Sequence, residues 1–236
     1  MDRVKYYSLL AIITLFLISL LGCAAGNQAN SGFLGDAAMY HKLAPNKRAL
    51  DKTWVAPDAD LKKYKKIMLD QVVFYIHKDA ENRAIAPENV KELADAFHEA
   101  FVKELNPAYP LVADPGPDVL RIKIAIVDIE PSSRTLDSIT TIIPVGVAIS
   151  LVKQGVTGAG TGVGRASMEA IFIDSQSNSV IALAKDQEIG SKLDLAAKTD
   201  EWGHAKTAFT YWATSLKKAL DDIAAGTFPK SSTVDQ

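Results

Sequence analysis

Apolar residues recur in two rhythms along this chain, and the switches between them lay out its elements. Val90, Leu93, Ala94, Phe97, Phe101 and Leu105 fall three or four apart, the spacing of one helical face. Ala86-Pro87-Glu88-Asn89 opens that helix, with proline near its first turn, and Asn106-Pro107 stops it. The same rhythm returns in Ala205, Phe209, Trp212, Ala213, Leu216, Leu220 and Ile223, predicting a closing helix from about Gly203 to Ile223. Elsewhere the period is two. Leu120, Ile122, Ile124 and Ile126 alternate with Arg121, Lys123 and Ala125, and Ala166, Met168, Ala170 and Phe172 alternate with polar or small neighbours. The polar stretch Asp174 to Ser179 then reverses the chain into Val180 to Gln187, a hairpin. Ile67 to Ile76 has strand composition, with a bulge or bend expected at Asp70-Gln71, and Tyr109 to Val112 is a candidate edge strand. Strand, helix, strand, hairpin, helix predicts an α+β two-layer sandwich: a mostly antiparallel sheet covered on one face by two amphipathic helices.

Two regions break the rhythm. Residues 32–60, with Pro45, Pro57 and Trp54, read as an irregular N-terminal arm lying on the domain. Leu136 to Gly164 separates the central strands; Ile139 to Val152 carries no charge, and Gly155, Gly158, Gly160, Gly162 and Gly164 follow. This insertion is too short to span a bilayer as a helix. It packs over the core or offers an exposed surface to a partner, to another copy or to a membrane, with Ile143, Pro144 and Val145 as candidate contacts. The glycines miss both the Walker and the GxGxxG spacings, so a hinge describes them better than a phosphate loop.

The N-terminus is patterned for export. Arg3 and Lys5 precede an apolar stretch from Leu9 to Leu21, and Leu20-Leu21-Gly22-Cys23 closes it. The tetrapeptide resembles the lipobox of bacterial lipoproteins, which implies cleavage before Cys23 and acylation, including palmitate, of its thiol. Residues 1–22 are then a signal peptide, 23–31 a small, polar tether, 32–228 one domain and 229–236 a tail. Ala24 rather than Asp follows the cysteine, which implies the outer membrane and its periplasmic face. An ordinary secretory signal that happens to contain a cysteine is the alternative.

Composition narrows the function further. Cys23 is the single cysteine of 236 residues, so no intramolecular disulfide can form and packing alone must hold the fold. The formal net charge of −2 becomes −3 once Asp2, Arg3 and Lys5 are removed, and no basic tail exists, which argues against nucleic acid as a partner. The one basic run, Lys62-Lys63 and Lys65-Lys66, reads as solvated surface beside a strand. His41, His77, His98 and His204 are scattered, no serine lies in a GxSxG context, and neither a metal nor another cofactor is expected. Asp128, Glu130 and Glu169 could in principle serve a carboxylate-dependent hydrolase, although acids at strand ends are more often solvated. Trp202, beside Glu201 and Gly203, is a candidate for stacking on a glycan, whereas Trp212 shares the apolar stripe of its helix.

The order of these pieces resembles the domain of unknown function 3313 family of bacterial envelope lipoproteins. The resemblance rests on Gly32-Phe33-Leu34-Gly35-Asp36 after the lipobox, Pro57-Asp58-Ala59-Asp60 before Tyr64, and Pro115-Gly116-Pro117 before Leu120. It continues through Ile143-Pro144-Val145-Gly146, Asp174-Ser175, and Trp202 to Trp212-Ala213. Ser177-Asn178 stands where the family pattern has Thr-Gly, and asparagine tolerates the left-handed backbone such a turn needs. The family implies an envelope location and brings no catalytic residues and no ligand. The expectation is therefore a lipid-anchored, non-enzymatic binding or assembly accessory that meets an envelope partner or its own copies, with a glycan- or lipid-binding module as the alternative.

Overall fold

A computed structural model of the chain describes residues 30–46, 50–77, 85–130, 149–152, 164–189 and 200–228. The elements in order are α1 (Ala37–His41), β1 (Ala44–Pro45), β2 (Lys52–Val55), a 3-10 turn (Leu61–Lys63), β3 (Lys66–Leu69) and β4 (Val73–His77). Then come α2 (Pro87–Leu105), β5 (Val119–Glu130), β6 (Ile149–Val152), β7 (Arg165–Asp174), β8 (Val180–Ile189) and α3 (Gly203–Ala225). The sheet runs β1-β2-β8-β7-β5-β4-β6, with β3 joined to β5 beside β4. Pairs β1/β2, β2/β8, β8/β7 and β7/β5 are antiparallel, while β3 and β4 run parallel to β5 and β6 runs parallel to β4. The architecture is the α+β sandwich that the periodicity predicts.

Register decides which side chains meet. Because a strand alternates its faces, the pairing of Ile122, Ile124 and Ile126 with Phe172, Ala170 and Met168 puts all six on one side. That side lies under α2 and α3, and Leu93, Phe97, Phe101, Leu105, Phe209 and Trp212 complete the core with them. The two helices touch through aromatic rings: Phe97 stacks on Phe101 at 4.4 Å and meets Phe209 edge-on at 5.4 Å. The left-handed Gly226, φ 77°, ends α3 and lets its amide satisfy the carbonyls of Asp222 and Ile223.

The β7–β8 turn is built around one carboxylate. Asp174 accepts from the backbone of Gln176 and Ser177, the hydroxyls of Ser177 and Tyr64, and the ammonium of Lys63 at 2.6 Å. The lysine contact above all, then the Ser177 amide, holds Asp174 well below the usual carboxylate range. Asn178 takes the left-handed conformation, φ 56°. The basic run is thus partly engaged, Lys63 with Asp174 and Lys66 with Asp118.

Three details differ from the sequence reading. Ile67 to Ile76 is two strands rather than one bulged strand, and the Asp70 break holds Arg121 of β5 through two 2.8 Å hydrogen bonds. Tyr109 to Val112 contributes a single bridge, Leu111 to Ile67. The arm is not irregular throughout: β1 and β2 extend the sheet, because Lys52 to Val55 pairs with Ala182 to Lys185. The segments read as signal peptide and tail, and the insertion apart from β6 and Gly164, lie outside the described residues. Among the described residues no helix is long and apolar enough to cross a membrane.

Candidate functional site

The helices cover one face of the sheet, and the first part of the arm binds the other. Gly32 and Gly35, at φ 88° and 117°, turn the chain sharply in a conformation that side chains rarely adopt, and the Gly35 amide closes on the Gly32 carbonyl at 3.2 Å. Leu34 is buried between them, and Asp36 caps α1 by accepting from the Met39 amide at 3.2 Å. Glycine, buried leucine and capping aspartate together account for Gly32-Phe33-Leu34-Gly35-Asp36 as a folding unit. Phe33 meets Tyr75 of β4 edge-on at 5.8 Å.

This unit docks on a carboxylate at the middle of the sheet. Glu169 of β7, the central strand of the order above, has an exposure of 0%. Its Oε2 accepts from the Ser31 hydroxyl at 2.6 Å and the Tyr40 hydroxyl at 2.7 Å, and its Oε1 lies 3.3 Å from Nζ of the buried Lys185. The Tyr40 oxygen in turn accepts from the amides of Gly32 and Leu34. Burial and, secondarily, the Glu169 hydrogen bond push Tyr40 up to about 12, so it remains a donor at any physiological pH. Burial pushes the Lys185 ammonium down, opposed by Glu169.

A second acidic centre sits on the helix side of the same hairpin. Asp186 accepts from the Asp51 amide at 2.7 Å and from the Trp212 indole at 2.7 Å, while Asp51 accepts from the Gln187 amide at 3.2 Å. Glu188 follows on the same face and shares a hydrogen bond with Asp186. Burial first, then the charges of Asp186 and Asp51, push Glu188 up to about 7; burial likewise raises Asp186. A carboxyl with that poise gains and loses its proton within the neutral range. The arm thus straps the β7–β8 hairpin from both faces, through Ser31 and Tyr40 on one and Asp51 on the other.

The candidate residues of the sequence fall differently. Cys23, Leu20, Leu21 and Gly22 lie outside the described residues, as do Ile143, Pro144 and Val145. Trp202 is at the start of α3 but only 6% exposed, so its ring is closed to a stacking sugar; among the described residues its Nε1 has no hydrogen-bond partner. Trp212 is core, as its stripe predicts. Asp128 faces Arg165 at 3.1 Å, and Glu169 spends its oxygens on the arm and Lys185, so these two acids hold structure rather than an open cleft. Glu130 ends β5 opposite Arg165. The residues that sequence reasoning missed are Ser31, Tyr40, Lys185, Asp51, Asp186 and Glu188. The available signal was polar residues at inward positions of an otherwise apolar hairpin, Glu169 and Lys185 above all.

Comparison with known proteins places these features. No curated protein matches the chain. Among solved structures, the PelC dodecamer from Paraburkholderia phytofirmans superposes with a TM-score of 0.38 at 8% identity, covering 70% of this chain and 96% of that one. A minor lipoprotein from Acinetobacter baumannii superposes at 0.28 with 7% identity, covering 68% and 98%. A family model described as "Protein of unknown function (DUF3313)" matches residues 29–216, from just before Ser31 to within α3. The chain, with its arm, its sheet, α2 and the first part of α3 inside that match, belongs to the DUF3313 family.

Proposed function

We propose that this chain is a lipoprotein of the bacterial outer membrane, anchored at Cys23 on the periplasmic face, whose domain is a non-enzymatic binding or assembly accessory of the cell envelope. The observation that carries the reading is Leu20-Leu21-Gly22-Cys23 at the close of an export-type segment, eight residues ahead of Ser31. Two or more acyl chains suffice for stable membrane attachment, at about 0.8 kcal/mol for each buried methylene. The Ser31–Glu169 contact supports it, since a domain tethered there is held where its fold is fastened. In the partner role, the uncharged stretch of 136–164 is the proposed contact, with an envelope protein or another copy. Its described part, β6, is the outer strand at its end of the sheet among the described residues, and a strand edge is where backbone groups can accept a further strand.

Growth with labelled palmitate tests the anchor: the full-length chain incorporates label and sediments with membranes, and Cys23→Ser loses both. Retention of Cys23→Ser in the membrane fraction would overturn the anchor. A photo-crosslinking residue at Ile143 tests the contact, which predicts a discrete adduct with a second copy or with one envelope protein. Crosslinks to lipid alone would overturn it.

A further inference from the structure

We infer that the arm-bearing face of the domain, opposite α2 and α3, is the surface that rests on the anionic headgroups of the membrane holding Cys23. The inference deepens the proposed function and rests on its lipid anchor. Two observations carry it. The first is reach. Eight residue steps separate Cys23 from Ser31 and cannot span more than about 27 Å even fully extended. A domain of about 200 residues is about 40 Å across, so the way round to its helix face is about 60 Å. Ser31 is fixed at the centre of the arm-bearing face by Glu169, and Asn30 beside it is exposed, so the chain emerges there. The bilayer is within reach of that face, while the helices are turned away from it.

The second observation is charge. The protein is acidic, with a formal net charge of −2, yet among the described residues this face is not. Lys42, Lys52 and Lys123 project from α1's end, β2 and β5 without a carboxylate partner among the described residues. The neighbouring acids Asp70, Asp128 and Glu169 are each bound to a cation, leaving Asp36 and, by its register opposite Arg165, Glu130 as the counterweights to three lysines. A lysine surplus on one face of an acidic domain is complementary to a phosphate-rich surface, and its attraction fades with salt. Trp54 lies on the same face with Lys42 Nζ 4.5 Å above its ring, an aromatic and cationic pairing suited to the headgroup layer.

The test uses the full-length lipidated protein in vesicles of phosphatidylethanolamine and phosphatidylglycerol. Once Cys23 is acylated the chain has no other thiol, so Ala37→Cys on α1 and Thr214→Cys on the exposed side of α3 each give one labelling site. Energy transfer to a headgroup probe is expected to be at least twofold more efficient from position 37 than from position 214. The excess should shrink with salt and in Lys52→Glu/Lys123→Glu. Equal or reversed transfer in protein that floats with the vesicles overturns the orientation alone. Protein that fails to float overturns the anchor and the orientation together. Transfer between labelled copies in place of transfer to lipid assigns the face to a second copy and overturns the inference.

Discussion

The two acidic centres of the β7–β8 hairpin are seventeen residues apart in sequence and on opposite faces of the sheet, and they solve one problem in different ways. On the arm-bearing face, Glu169 meets a buried cation and two hydroxyl donors, Lys185, Ser31 and Tyr40. On the helix face, Asp186 meets an indole and a backbone amide, and the further acids Glu188 and Asp51 stand beside it. There burial and the neighbouring charges raise the carboxyls of Asp186 and Glu188 instead. Burial alone does not set the state of an acid; the partner supplied by the next element does.

Removing the cation-paired carboxylate should have the largest effect. Glu169→Ala leaves Lys185 buried without its counterion and frees the arm, and denaturant unfolding should register a loss of about 3–5 kcal/mol. Converting both residues to leucine should recover much of that loss, since a well-packed apolar pair can replace a buried ion pair. Recovery by Glu169→Ala itself would break the comparison. Asp186→Ala should cost less, about 2–3 kcal/mol, because it strands the Trp212 indole and the Asp51 amide rather than a full charge. The same unfolding measurement, with near-ultraviolet circular dichroism reporting the indole, checks it.

The proton on the helix face predicts a pH dependence of definite sign. The carboxyl of Glu188 is raised in the folded chain, to about 7, above the ordinary glutamate value. The folded state therefore binds the proton more tightly, and this contribution is fully present below about pH 4.5 and lost as pH rises through 7. Stability measured from pH 5.5 to 8 should fall with pH by less than about 1.4 kcal/mol per unit, the ceiling for one proton, reduced further by solvent screening. Glu188→Gln should flatten that slope. Asp174 works in the opposite direction: lowered in the folded chain, it stabilises above the ordinary aspartate range and loses that contribution as acid titrates it. The smallest effect expected is from Ser31→Ala, about 1 kcal/mol for one hydrogen bond. Faster proteolytic clipping of the arm should accompany it, with the helix-face centre untouched.

Much of this molecule is legible in local periodicity. The stripe from Val90 to Leu105 and that from Ala205 to Leu220 place both helices against the sheet, since a stripe that wide must be covered. Alternation in β5 and β7, with the polar turn at Asp174, gives the hairpin. The chemistry of the candidate site is hidden for the same reason that the helices are plain. Ser31 and Glu169 are 138 residues apart, Asp51 and Asp186 are 135 apart, and no rhythm within a segment links them.

The sequence by itself determined the two amphipathic helices and the hairpin, because each is written in neighbouring residues whose spacing or order suffices. Only the tertiary structure decided that β7 is central, that β3 and β4 run parallel to β5, and that the arm passes from one face of the sheet to the other. Those choices follow from strand register and from which distant donor reaches a buried carboxylate, and both exist only once the chain has closed upon itself.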